Sequence, residues 1–232
     1  MFLVLSGEGP SDIGTQDDKI GPMTKLIEQW ITKRSGYSLI ECEQYTIFTE
    51  GQLAKKAKTL KSYSGKRKKK ETGYFFKNAR ALALLANEEN SKRNDITVIP
   101  VLFRDADGTA SSGRGEWQHK WQSMLDGFET EEMLNGVPMI PMPKSEAWIL
   151  CALREKYQNC KKLEHESGND NSPNSLKKQL AEHLGENATR KLVNKKIDEG
   201  QIDIDQIVDM FSLTKFKEQL DKVLDNLKLP KA

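Results

Sequence analysis

The segment "GEGPSD", residues 7 to 12, follows an apolar run, "FLVLS", and offers two carboxylates, Glu8 and Asp12, four positions apart. A second acidic segment, "FRDADGT", closes another apolar run and carries Asp105 and Asp107, and a third, "PKSEAW", carries Glu146. In extended chain a separation of two residues puts Asp105 and Asp107 on one face, with Cα atoms roughly 6 to 7 Å apart, so both reach one ion or two neighbouring ions. Oxygens from one to three acids, completed by water and phosphate, are what Mg²⁺ takes. Paired ions about 3.5 to 4 Å apart recur in phosphodiester displacement. The glycines beside Glu8 suit the same chemistry, because a residue without Cβ lets the chain turn sharply and lets a phosphate approach the backbone. Plainer readings stand beside these. "GEGPSD" also reads as a turn in which Ser11 or Asp12 caps a helix and Glu8 is solvated. Glu146, directly after Ser145, also reads as a first-turn acid favoured by the helix dipole by about 0.3 to 1 kcal/mol.

The elements that must position these acids follow from periodicity. Four apolar runs, 2 to 6, 38 to 48, 95 to 103 and 136 to 142, alternate with amphipathic stretches such as "MTKLIEQWITKR", "FFKNARALALLANEE" and "EWQHKWQSMLDGF". Alternation of this kind predicts an α/β fold with a four-stranded parallel sheet. Ligands of such sheets bind beyond the carboxyl ends of the strands, and acids follow three of the four runs at that edge. "KSEAWILCALREKY" predicts a further helix. Residues 1 to 158 are expected as the catalytic domain and 159 to 174, containing most of the polar "SGNDNSPNS", as a linker. Residues 175 to 232 are expected as a C-terminal helical subdomain, with Leu176, Leu180 and Leu184 and then Phe216, Leu220, Val223, Leu224 and Leu227 at helical spacing. The tryptophans at 117, 121 and 148 read as core rather than as a base-stacking platform.

Composition narrows the class of protein. With 232 residues, 37% hydrophobic and 30% charged, the chain can bury a substantial core. The three cysteines, Cys42, Cys151 and Cys160, form no CxxC pair and the three histidines are scattered, which predicts neither a disulfide framework nor a zinc site and fits a reducing cytoplasm. No stretch approaches the ~20 apolar residues of a membrane span, and the opening residues lack a signal-peptide pattern. Residues 55 to 70, "KKAKTLKSYSGKRKKK", hold nine Lys or Arg and no acid; taking those nine from the net charge of +2 leaves the remainder at −7. A basic run is either a solvated loop or a phosphate clamp, whose affinity for duplex DNA falls with salt at a slope of roughly −0.9 per phosphate contact. Lys66, Arg67, Lys68, Lys69 and Lys70, with Lys144 beside Glu146, are the candidate nucleic-acid contacts.

"LVLSGEGPSD" together with "VLFRDADGT" resembles the TOPRIM domain, the metal-binding module of topoisomerases, primases, small ribosomal-RNA maturases and overcoming-lysogenization-defect nucleases. "IPMPKSEAWIL" resembles the P-x-x-EAW-L-L segment of small bacterial TOPRIM-like proteins often encoded beside ATPases. The likeness covers roughly residues 1 to 155. It implies a TOPRIM-like (Rossmann-like) three-layer sandwich. Glu8 would match the family's glutamate and Asp105 and Asp107 its Asp-x-Asp pair, and Glu146 would be an additional metal-side acid; Asp12, from its own position, is a further candidate on the metal side or a helix cap. The implied activity is Mg²⁺- or Mn²⁺-dependent cleavage of DNA or RNA, with a bacterial anti-phage setting and an ATPase partner, since no Walker segment occurs in this chain. Ser145 and Lys144 stand where relatives often carry further acids, which leaves the metal stoichiometry open, and the tyrosine domain of topoisomerases has no counterpart here. Two other readings remain. "DADGT" also resembles the D-x-D-G-T segment of haloacid-dehalogenase-type phosphatases, with Asp105 as nucleophile and Asp107 as general acid. The chain could instead be a non-catalytic nucleic-acid-binding regulatory subunit.

Overall fold

The computed structural model describes residues 1–16, 20–60, 73–93, 95–106, 116–154 and 159–227. Four strands, β1 (Phe2–Ser6), β2 (Tyr45–Phe48), β3 (Val98–Phe103) and β4 (Val137–Met139), form one parallel sheet in the order β2-β1-β3-β4. Leu5 of β1 lies beside Ile47 on one side and Val101 on the other, so β1 and β3 occupy the centre. Their residues are buried throughout, as strands covered on both faces require.

Strand alternation divides the core in two. Leu3, Leu5, Val101 and Met139 point to one face and Phe2, Val4, Val98 and Leu102 to the other. The first face is covered by α1 (Pro22–Ser35), α5 (Ser145–Leu153), α6 (Leu176–Leu184), α7 (Arg190–Asp198) and α8 (Phe211–Asn226). The second is covered by α2 (Glu50–Lys58), α3 (Gly73–Ser91) and α4 (Trp117–Thr130). The result is a three-layer, Rossmann-like α/β sandwich. No helix among the described residues is long and apolar enough to cross a membrane.

Local chemistry explains where the elements begin and end. Helix α1 starts with Pro22, whose missing N–H is no loss at that position, and ends at Gly36 in the left-handed region, φ 66°, with its N–H on Thr32 O. Helix α2 opens with a reciprocal capping box between Thr49 and Gln52. Strand β4 spans only three residues of the run 136 to 142, and the chain beyond it carries Pro141 and Pro143. Strand β2 is also shorter than expected. Residues 39 to 43 form a turn closed by Gln44 N–H on Leu39 O at 2.7 Å, with Glu43 at φ 53°.

The C-terminal helices complete the core of the first face. Leu180, Val193, Ile197, Phe216 and Leu220 belong to one continuous cluster with Leu5 and Trp148. Trp148 Nε1 donates to Ser212 Oγ at 2.9 Å, and Trp30 Nε1 donates to Asp221 at 2.8 Å. The stretch expected as a linker includes a 3₁₀ helix, Cys160–His165, in which Cys160, Leu163 and Glu164 are buried. The Glu164 carboxylate accepts Phe211 N–H at 2.8 Å, Ser212 N–H at 2.7 Å and the Ser212 hydroxyl, so it caps α8 from a distance in sequence. The expectation of no disulfide is corrected here: Cys151 is bonded to Cys160, since the end of α5 and the start of the 3₁₀ helix bring their Cα atoms to 5.4 Å.

Candidate active site

All four strands run the same way, so the loops that leave their carboxyl ends collect at one edge. The chain leaves β1 toward β2 and leaves β3 toward β4, in opposite directions, which opens a crevice beyond the ends of the two central strands. Glu8 and Asp12 lie on the β1 side of that crevice and Asp105 on the β3 side.

The loop after β1 is a fixed unit. A Cβ on Gly7 would meet Ile13 Cγ1 at 2.5 Å, whereas one on Gly9 would meet nothing closer than Ser11 Oγ at 3.5 Å. Only Gly7 is therefore demanded by packing, and neither glycine has a left-handed φ. The turn folds back onto α1: Met23 N–H donates to Asp12 O at 2.9 Å, while Gly21 N–H and Thr24 Oγ1 donate to Ile13 O at 2.8 and 2.7 Å. A Cβ on Gly21 would stand 2.1 Å from Asp12 O, so that approach requires glycine. On its outer side the loop accepts a bond from Arg190 Nη1 of α7 at Pro10 O, 3.1 Å.

The segment after β3 is held against the segment after β4. Arg104 N–H donates to Met139 O, and Ala106 N–H is shared by Pro141 O and Pro143 O, each at 3.0 Å. This registration sets Asp105 against the N-terminus of α5, where Ser145 N–H donates to Asp105 Oδ1 at 3.0 Å. The Ser145 hydroxyl donates to Asp12 Oδ1 at 2.9 Å, and Ser11 Oγ donates to Asp12 Oδ2 at 2.9 Å. Ser145 thus joins the β1 loop, the β3 loop and α5.

Electrostatics agree with this convergence of acids. Asp105 is half-buried by surface area yet packed about with protein. Its carboxyl is pushed well above the ordinary range, first by burial and then by the charges of Asp12, Glu146 and Glu8, while the Ser145 N–H opposes. Glu146 is raised mainly by burial and by Asp12; its place in the first turn of α5 and the charge of Lys144 do not outweigh that. The Tyr74 hydroxyl, half-buried, is raised mainly by burial and further by Glu8, while Arg104 acts to lower it.

Of the residues expected at the site, Glu8, Asp12, Asp105 and Glu146 come together. Asp107, Lys66, Arg67, Lys68, Lys69 and Lys70 lie outside the described residues. Lys144 pairs with Asp170, an acid of the protein itself, at 2.9 Å. Of the basic stretch, Lys55, Lys56 and Lys58 form the last turn of α2, and Lys56 pairs with Glu88 of α3. Residue patterns alone assign no role at the site to Ser145, Tyr74 or Arg104. For Arg104 a signal existed: it extends the β3 apolar run by one residue on the face that Leu102 buries.

The donor set fits a hard divalent cation in chemistry. It is all carboxylate and mutually repelling, and one oxygen of Glu146, Oε2, is buried with no hydrogen-bond partner among the described residues. Among the described residues no three Asp, Glu, His or Cys groups stand close enough to share one ion. An ion bound among the described residues would therefore meet at most two of these carboxylates at once. Comparison with protein-family models, with curated proteins and with solved structures finds no match to this chain.

Proposed function

We propose that this protein is a TOPRIM-like, divalent-metal-dependent nuclease that hydrolyses phosphodiester bonds of DNA or RNA. The observation that carries the reading is the meeting of Glu8, Asp12, Asp105 and Glu146 at the crevice between β1 and β3, where each raises the cost of ionising Asp105 or its neighbour. Acids crowded to that degree lower their free energy by taking up a cation. Glu8, Asp105 and Glu146, with Asp107 from the sequence motif, would hold Mg²⁺ or Mn²⁺. When bound, such ions polarise a phosphoryl oxygen and make water acidic near neutral pH.

The chain's own groups supply position and proton movement. Ser145 fixes the distance between Asp105 and Asp12 through two donors on one residue. The start of α5 turns its partial positive charge toward the site, which favours an incoming phosphate. Glu8, on the opposite lip of the crevice, either completes the coordination or takes the proton from the attacking water. The basic run ending in Lys66, Arg67, Lys68, Lys69 and Lys70 draws the nucleic-acid backbone to an otherwise acidic body. A setting in anti-phage defence, with an ATPase from another chain controlling cleavage, completes the proposal and rests on the sequence resemblance.

The test uses supercoiled plasmid, single-stranded DNA and RNA with Mg²⁺, Mn²⁺ or EDTA, beside Asp105→Asn and Glu8→Gln. Metal-dependent cutting lost in both variants supports the reading. Nucleic-acid binding with no cutting under any condition, including with a co-expressed ATPase, would replace it by a binding subunit, and hydrolysis of an aryl phosphate alone would replace it by a phosphatase.

A further inference from the structure

Arg104 has none of its surface open to solvent, and it is among the largest fully buried side chains. Its Nη1 donates to Phe103 O at 3.0 Å. Its Nε and Nη2 are buried and meet no hydrogen-bond acceptor among the described residues. The guanidinium lies 5.5 Å from the centre of the Tyr74 ring, and Tyr74 feels both Arg104 and Glu8, so the three share one neighbourhood.

The two donors without an acceptor are not scattered. Nε–H and the near Nη2–H lie along one edge of the planar group and point in parallel, the fork that takes two oxygens of a carboxylate or phosphate at once. Buried donors are nearly always satisfied, and leaving one unsatisfied is costly, the more so when it is charged. On an exposed arginine water would meet that edge. Here the acceptor is a buried water, a group of the chain or a ligand, and only a ligand of two parallel oxygens uses both donors at once.

Resting on the nuclease reading, we propose that Arg104 is the oxyanion anchor of the site, its Nε/Nη2 edge gripping two non-bridging oxygens of a substrate phosphate beside the carboxylates. The acids and this cation then divide the work: the acids hold divalent ions, while the fork fixes the phosphate's orientation. A ring near the guanidinium keeps its plane from turning. Admission of the oxyanion requires the cover over Arg104 to part. Nothing in the proposal needs a change of protonation.

The experiment tracks arginine Nε–H resonances by NMR in the nitrogen-labelled full chain, in EDTA so that no cleavage occurs, while inorganic phosphate or a short oligonucleotide is added against chloride at equal ionic strength. The Arg104 signal is the one missing from Arg104→Lys. We expect that signal to shift with the oligonucleotide, and with inorganic phosphate at higher concentration, and Arg104→Lys to weaken oligonucleotide binding about 10-fold or more. An Arg104 signal that stays still while the oligonucleotide binds overturns the proposal. So does one that moves only on Glu8→Gln, for then the fork belongs to the chain's own carboxylate. If Arg104→Lys does not fold, a signal that shifts in the wild-type spectra and that guanidinium-directed coupling assigns to Arg104 decides the matter. Absence of cutting by wild-type protein with metal would count against the nuclease reading and leave the resonance result standing; cutting with an unmoved resonance would do the reverse.

Discussion

Ser145 and Asp105, 40 residues apart in sequence, are joined by a 3.0 Å hydrogen bond from the first N–H of α5 to the carboxylate that follows β3. The Ser145 hydroxyl goes to Asp12, so one residue sets the spacing of two acids. Ser145→Ala removes only the second bond and should weaken Mn²⁺ binding about 10- to 100-fold, as loss of an orienting partner does. Ser145→Pro fits the first position of a helix and deletes both donors, so it should weaken binding further. Calorimetric titration with Mn²⁺ checks the order; equal affinity in all three proteins would remove Ser145 from the site.

Asp105 gives a pH dependence of definite sign. Its folded-state carboxyl is raised well above the ordinary 3.8. Between those two values the folded chain holds a proton that the unfolded chain releases, so metal-free stability is highest below the window and falls as pH rises through the folded value. A divalent ion pins the ionised form and cancels that loss. The gain in melting temperature on adding Mn²⁺ should therefore grow with pH, and Asp105→Asn should melt higher than the metal-free wild type above the window. Each kcal/mol corresponds to roughly 2 to 4 °C for a chain of this size. A metal-induced shift that shrinks with rising pH would contradict the assignment.

Glu8→Gln keeps the size and one acceptor oxygen but removes the charge on the β1 lip. The substitution should reduce metal-dependent cutting by at least about 100-fold, the scale of a lost general base, while leaving EDTA-condition DNA binding unchanged. Gel-shift and plasmid assays on one preparation test both halves.

The basic run sets an ionic-strength dependence. Replacing Lys66, Arg67, Lys68, Lys69 and Lys70 with serine should flatten the salt dependence of duplex binding by roughly 0.9 log unit per lost phosphate contact. An unchanged slope would assign the run to solvent.

Glu164 supports α8 rather than the chemistry. Its carboxylate accepts two backbone N–H groups and one hydroxyl at the start of that helix. Glu164→Ala should cost about 2 to 3 kcal/mol, and Glu164→Gln less, since one good acceptor remains. Chemical denaturation reads the difference.

Residue patterns disclosed the central strands, helices α1, α3, α4 and α5, and the acids that meet at the edge, because burial on alternate faces leaves a period in the sequence. They disclosed less where burial and conformation part company. Leu39 is fully buried, but from a turn, so its apolar neighbourhood overstated β2. Helices α2 and α7 bury only two or three side chains each, Leu53 and Ala57 in one and Val193, Asn194 and Ile197 in the other, too few to stand out from their lysines. The Cys151–Cys160 bond and the double donation by Ser145 depend on how α5 is set against distant segments. Asp12 was legible as an acid near the site; that its backbone is clamped to α1 through Gly21 was not.

Because α6, α7 and α8 finish the hydrophobic layer begun by Leu5 and Trp148, the protein is an arch whose last stones lock the first. A fragment ending near Leu153 would present that layer bare to water and should precipitate or recruit a chaperone. Anyone seeking a minimal active version must trim elsewhere.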